Sequence, residues 1–205
     1  MRGFSDEERE RIREELVETG RELLATYGPE KTNVADVTEP VGIAKSTFYR
    51  FFDSKADLYL EVFLRESEAF EARVEAELEG VEEPREGLER LFRCYAGFAE
   101  ENVLVQRTMA SGGYRDLFGD VSPERMEEYR AEGMAAYTPF VERFRGEGSG
   151  PLADLDPATV LGVMGTIGLL VLHREDYEQY GEGYYEAVRE ALVTSLARGL
   201  TAEEA

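Results

Sequence analysis

Cysteine and histidine are almost missing: the 205-residue chain has one of each, Cys94 and His173. One cysteine excludes an internal disulfide framework and any multi-cysteine metal or iron–sulfur site. One histidine leaves zinc chemistry without its usual ligands, so no metal and no cofactor is expected. Cys94 sits among core-like neighbours and reads as a small buried hydrophobe, and His173 as an imidazole at a helix end. Positive charge is scarce as well. Lys and Arg total 23 against 44 Asp and Glu, a formal net charge of −21, which excludes a surface that coats nucleic acid or anionic membrane all over. Long hydrophobic runs are lacking. The most apolar stretch, 158–172, falls short of the roughly 20 residues a membrane-spanning helix needs. The opening residues, Met1 to Glu8, lack the apolar run of a signal peptide. A cytoplasmic protein with no membrane partner is expected. With 42% hydrophobic and 11% aromatic residues, the chain still holds enough apolar material for a sizeable core, which excludes general disorder.

The few cations are not spread evenly. Of the 23 positive residues only three are lysines, Lys31, Lys45 and Lys55, and all fall in one short window. Residues 31–55 add Arg50 and only Asp36, Glu39 and Asp53 on the acidic side, so this segment alone escapes the negative excess.

Apolar residues recur with helical spacing almost throughout, and no segment alternates as a strand would. The expectation is an all-α protein of about nine helices. Ser5 and Glu8 form a capping pattern ahead of a first helix carrying Ile12, Leu16, Val17, Leu23 and Leu24, closed by Gly28-Pro29. Two short segments follow, from Thr32 to about Glu39 and from Ala44 to Phe52. A longer helix starts at Asp53-Ser54, a fifth carries Leu88, Leu91 and Phe92, and Val103–Met109 forms a short one broken at Gly112-Gly113. Ser122-Pro123 opens another helix, 146–157 reads as a Gly/Pro-rich loop, and 158–172, apolar on all sides, should be buried all round. About Glu182 to Leu200 forms the last helix.

Two short helices joined by a tight glycine turn make a helix-turn-helix unit. Gly42 supplies the positive φ of the turn, and Asn33, with Asp36 three residues on, caps the first helix. The second helix divides by face. Phe48, Phe51 and Phe52 anchor it, while Lys45, Ser46, Tyr49 and Arg50 fall on the opposite side. A cation, a hydroxyl, a phenol and a guanidinium on one strip suit phosphates and base edges, and such a helix can enter the major groove. Lys55 falls in the first turn of the next helix, against its dipole, which points to a compensating anion such as a DNA phosphate.

Residues 9–63 resemble the N-terminal domain of the TetR family of transcriptional regulators. The likeness rests on Tyr27-Gly28, Thr32-x-Val34-x-Asp36-Val37, Val41-Gly42-Ile43, Lys45-x-Thr47-Phe48-Tyr49-x-x-Phe52 and Ser54-Lys55-x-x-Leu58. The resemblance implies a DNA-binding domain over 1–55 and a ligand-binding and dimerisation domain over 56–205. It implies a homodimer that places the recognition helix, about Ala44–Phe51, in successive major grooves of a palindromic operator, released by a small-molecule effector. On that analogy Lys45 and Ser46 meet base edges, while Thr32, Thr47, Tyr49 and Lys55 meet phosphates. Ala44 stands at the helix start where the family usually has a serine-like cap and base reader. Pro40 stands where alanine is usual, so the first helix of the pair is expected to end early or bend.

Beyond the motif, Phe92, Tyr95, Phe98, Met109, Tyr129, Met134, Tyr137, Phe140 and Met164 could line a pocket for an apolar or aromatic effector, or be core. Gly162, Gly165 and Gly168 recur at three-residue intervals, which suits close approach of another helix. With Val188, Leu192 and Leu196 they fit either a four-helix dimer interface or internal packing. A helical enzyme would need a nucleophile–base pair, a metal constellation or a phosphate loop, and none is present in the sequence. An adaptor whose helix-turn-helix does not read DNA is the other alternative. Acidic excess with arginine in place of lysine resembles proteins of salt-rich, halophilic cytoplasms, where dense carboxylates hold hydration and repulsion from DNA is screened; an acidic protein of a GC-rich bacterium, which also favours arginine, is the alternative.

Overall fold

The computed structural model describes residues 4–110, 113–145 and 150–202. Gly112 of the expected break and 146–149 of the expected loop lie outside them. The described residues form twelve α-helices and no strand: α1 (Asp6–Tyr27), α2 (Val34–Val41), α3 (Lys45–Phe48), α4 (Lys55–Glu77), α5 (Pro84–Glu101), α6 (Val103–Met109), α7 (Gly113–Phe118), α8 (Pro123–Arg145), α9 (Pro151–Asp154), α10 (Pro157–Leu172), α11 (Arg174–Glu178) and α12 (Tyr184–Leu200). Three exceed the expected count. Helices α7, α9 and α11 have six, four and five residues, too short to show a period.

The packing divides into two compact units. One comprises Met1–Ser67 with Ala110–Tyr129; the other comprises Glu68–Met109 with Arg130–Ala205. The DNA-reading stretch expected to end at residue 55 lies wholly in the first. Both α4 and α8 run through a boundary between the units.

In the first unit, α1 begins at the Ser5 cap, whose hydroxyl accepts the Glu8 N–H at 3.2 Å, and ends at Gly28 with φ 79°. Its inner face buries Ile12, Leu16, Val17 and Leu24. Gly20 is needed there, because a Cβ would stand 2.9 Å from Leu58 Cδ2 of α4. Phe63 of α4 meets Phe118 of α7 edge-on at 5.3 Å, so the later segment closes this unit's core.

In the second unit, α5 packs on α10 and α12. Leu88, Leu91, Phe92, Val160, Met164, Ile167, Val193 and Ala197 lie in one continuous core. Helix α10 is not buried all round. Val160, Met164, Ile167, Gly168, Leu170 and Val171 face inward, but Gly162 and Thr166 are exposed and Leu169 keeps 58% of its surface. Among the described residues, neighbours cover only one side of this helix.

Candidate nucleic-acid interface

Helix α2 has the cap its sequence encodes. Asn33 Oδ1 accepts the Ala35 N–H at 3.0 Å, and Asp36 Oδ2 accepts the Asn33 N–H at 2.8 Å. Pro40 neither shortens nor stops it, contrary to expectation. The helix continues to Val41 and turns at Gly42, φ 74° and ψ 26°. The Ile43 N–H donates to Thr38 O at 3.2 Å and the Gly42 N–H to Glu39 O at 3.1 Å, the pair of bonds of a Schellman closure. Neither uses the amide that proline lacks; the bond forgone is the one residue 40 would have donated to Asp36 O.

Helix α3 is shorter than the expected Ala44–Phe51. It is one α-turn, Lys45–Phe48, continued by tight i→i+3 bonds from Arg50 N–H to Thr47 O (3.0 Å) and Phe51 N–H to Phe48 O (2.9 Å). Ala44 takes the cap position and offers no side-chain acceptor, so nothing there lengthens the helix. The two faces separate as expected. Phe48 is wholly buried, with Phe52 5.6 Å away in the core. Ala44, Lys45, Ser46, Tyr49 and Arg50 are all exposed, Tyr49 by 50%, and Thr47 is half-buried.

The far end of α3 is braced by residues that the periodicity does not reveal. The Arg50 guanidinium lies 5.3 Å from the centre of the Phe4 ring, Phe4 lies 6.3 Å from Phe51, and Arg9 of α1 lies 5.8 Å from the Phe51 ring. Such contacts hold a guanidinium in place without neutralising it. Arg11, Arg13, Arg21 and Arg65 in the same unit are tied to Glu15, Glu61, Glu66 and Glu14. Among the described residues, Arg9, Lys31, Lys45 and Arg50 enter no carboxylate pair. Arg9 had no local signal, since its aromatic partner lies over forty positions away.

Thr32 and Lys55, to which the resemblance gives phosphate roles, are engaged within the protein. Thr32 is 1% exposed, and its hydroxyl donates to Gly28 O at 2.9 Å. The Lys55 ammonium donates to Pro29 O at 2.5 Å and to Thr32 O at 2.6 Å, and lies 5.6 Å from the Tyr59 ring. Burial pushes its pKa down, against weaker upward pulls from Asp120 and Asp36. The compensating oxygens for a lysine at this helix start are the protein's own carbonyls.

The candidate effector residues fall into two groups. Tyr95, Phe98 and Tyr137 gather around Phe70, at ring distances of 6.1, 4.6 and 5.5 Å, with Phe92 and Met164 in the core beside them. Tyr95, Phe98, Met109, Tyr137 and Phe140 remain half-buried. The Tyr95 hydroxyl is pushed up to about 12 by desolvation and by Tyr137. Tyr129 does not join them; it stands 6.1 Å from Phe118 in the first unit. Met134 is exposed.

The glycine row divides too. A Cβ on Gly168 would come within 2.9 Å of Tyr95 Oη and 2.6 Å of Met109 Cε, so its bareness serves packing inside the subunit. Gly162 and Gly165 have open space above them. Near them on the outer side lie Thr166 and Leu169, which with Tyr177, Tyr180, Tyr184, Val188 and Leu192 line a groove of about 770 Å³. Leu196 is half-buried against the core. Cys94 is buried, and His173 caps α10 with Nδ1 3.1 Å from Asp176 Oδ2. Among the described residues no group of three potential ligands could hold a metal, and no helix is long and apolar enough to cross a membrane.

A short exposed helix bearing cations and hydroxyls, set by a capped partner helix and a left-handed glycine, defines a helix-turn-helix protein. Residues 16–62 match the family model described as bacterial regulatory proteins, tetR family. The HTH-type transcriptional regulator TcmR of Streptomyces glaucescens is 30% identical over 102 residues, which span 50% of this chain and 45% of TcmR. The chain thus matches less than half the length of that relative. Among solved structures, a TetR-family regulator from Pectobacterium atrosepticum is similar at TM-score 0.67 and 21% identity, covering 98% of this chain and 100% of that one. The regulator FadR from Bacillus subtilis, solved in complex with stearoyl-CoA, is similar at TM-score 0.64 and 17% identity, covering 91% and 98%. At such identities these structures speak for the fold. Over residues 16–62 the chain is thus similar to the TetR family of transcriptional regulators.

Proposed function

We propose that this protein is a ligand-responsive transcriptional regulator, acting as a repressor, that binds a two-fold DNA operator as a homodimer. The observation that carries the reading is the exposed strip Ala44, Lys45, Ser46, Tyr49 and Arg50, with Arg9 beside it, in a unit whose other α1 arginines are largely tied to glutamates. Lys45 and Ser46 at the start of α3 meet base edges; Thr47, Tyr49, Arg50 and Arg9 meet phosphates. Thr32 and Lys55 shape the motif from behind.

Dimerisation through α10 and α12 is supported by the outer face of α10, where Gly162 and Gly165 permit close approach and Leu169 stands in water. An apolar or aromatic effector is supported by aromatic side chains at the core edge that keep accessible surface. Effector binding acts through α4, a single helix whose first residues hold the motif and whose last belong to the second unit. The charge of −21 suits a salt-rich cytoplasm, in which repulsion from DNA is screened.

Selection of bound duplexes from random DNA, at low and at molar KCl, tests the reading. A two-fold motif with half-sites about one helical turn apart supports it, as does loss of binding in Lys45→Ala and Tyr49→Ala with the helical content and dimer intact. No enrichment at either salt, with the protein folded and dimeric, overturns it in favour of an adaptor.

A further inference from the structure

We propose that Lys55 is a positioning residue for DNA recognition: it sets α3 through the α1–α2 loop and makes no phosphate contact of its own. This rests on the DNA-binding reading above. The loop is held at three carbonyls, those of Gly28, Pro29 and Thr32, by donors from Thr32 and Lys55. The Thr32 hydroxyl holds Gly28 O, and the Lys55 ammonium holds Pro29 O and Thr32 O at once. The next residue, Asn33, caps α2, and α2 delivers the chain through the Gly42 turn to α3. On the other side, the α4 turn that carries Lys55 is itself fixed. Ser54 Oγ donates to Asp57 Oδ2 at 2.6 Å and accepts the Asp57 N–H at 3.1 Å. One ammonium therefore ties the end of α1, the start of α2 and the start of α4 at a single point, and α3 is the segment strung between the last two.

A lysine at the first position of a helix opposes the dipole, and partial burial adds to that penalty. Two carbonyl acceptors offset both, and the Tyr59 face adds a cation–π contact. With two of its three N–H groups committed at 2.5 and 2.6 Å, the ammonium is held against the loop and has a single donor left. Its neighbours settle the geometry: Thr32 is almost wholly buried, and Ala56 behind it is buried too.

A phosphate contact and a clamp leave different traces in salt. Each phosphate neutralised contributes about −0.9 to the slope of log K against log salt concentration. Loss of one lysine–phosphate contact per subunit would therefore make a dimer's slope shallower by about 1.8. Loss of a clamp lowers affinity for the selected sequence and leaves the slope alone.

The test uses the full chain, the duplex selected by the wild-type protein, and a scrambled duplex. Measured by fluorescence anisotropy across a KCl series, Lys55→Met should lose at least tenfold in affinity for the selected duplex and little for the scrambled one, at unchanged slope. Thr32→Val, which removes a holder of the same loop and no charge, should move affinity in the same direction, also at unchanged slope. Without DNA, Lys55→Met should speed hydrogen exchange at the Ala35, Asp36 and Val37 amides. A slope shallower by about 1.8 in Lys55→Met, with both duplexes weakened alike, overturns the proposal and restores the phosphate role. Unchanged affinity and unchanged exchange overturn it as well. If the wild-type protein selects no DNA, the functional reading fails, and the exchange measurement still decides whether Lys55 holds the loop.

Discussion

Leu169 gives the sharpest test of the subunit arrangement. It lies on the outer face of α10 with 58% of its surface in water, level with Gly165 and Thr166 and at the edge of the groove lined by Tyr180 and Tyr184. Fully burying a leucine side chain contributes about 2 kcal/mol. The part still exposed in one chain is therefore worth about 1.2 kcal/mol on association. A two-fold interface counts each residue twice, which gives about 2.4 kcal/mol per dimer, or about a 50-fold change in the dimer dissociation constant. Leu169→Ala should weaken dimerisation by that order, and Leu169→Glu by considerably more, since two carboxylates would meet across the axis. Sedimentation equilibrium over a concentration series reads the constant directly, and circular dichroism checks that the monomer keeps its helices. An unchanged dissociation constant in Leu169→Glu refutes the placement of the interface on this face, whatever the oligomeric state.

Three further outcomes are expected. Gly87→Ala places a methyl group against the Phe144 ring; overpacking of about 2 kcal/mol should lower the thermal midpoint by about 6 °C, read by calorimetry. The Glu14 and Glu190 carboxyls are held below their ordinary value of 4.5, chiefly by hydrogen bonds from Arg65 and Arg93. A lowered folded-state pKa gives stability that is present above the unfolded value and lost as pH falls through the folded one. The wild-type protein should thus lose more stability below pH 4.5 than the Arg65→Gln, Arg93→Gln double variant, as denaturant titrations at pH 3 and pH 6 would show. Finally, four phosphate contacts per subunit would give a dimer a salt slope near −7 by counterion release alone. With −21 on each chain, cation uptake between protein and DNA should flatten or reverse it, and an ordinary steep loss of binding in KCl defeats that expectation.

What the sequence disclosed, it disclosed where one local rule acts alone. Asn33 with Asp36 fixes the start of α2, Gly42 its end, and the phenylalanine triplet the buried side of α3, each within a few residues. What stayed hidden has a different cause. Lys55 sits where the start of α4 demands oxygen acceptors, and spacing cannot say that Pro29 and Thr32 offer two from over twenty residues away. Pro40 was expected to end α2 early or bend it, but the helix runs on to Val41 and closes through the Gly42 and Ile43 amides. Gly168 shared a spacing with Gly162 and Gly165 yet points the other way, because α5 and α6 bring Tyr95 and Met109 onto one side only. Tyr129 matched the aromatic stripe by type and belongs to another unit, since α8 crosses between the two.

The edge-on pair of Phe63 and Phe118 makes the first unit poorly portable. Its reading motif is contiguous, which invites grafting onto a foreign effector module by cutting within α4. Such a chimera would leave behind Ala110–Tyr129, strip the cover from Phe63, and present an aromatic face to whatever module it was joined to. A transplant that keeps its stability has to carry two pieces of chain.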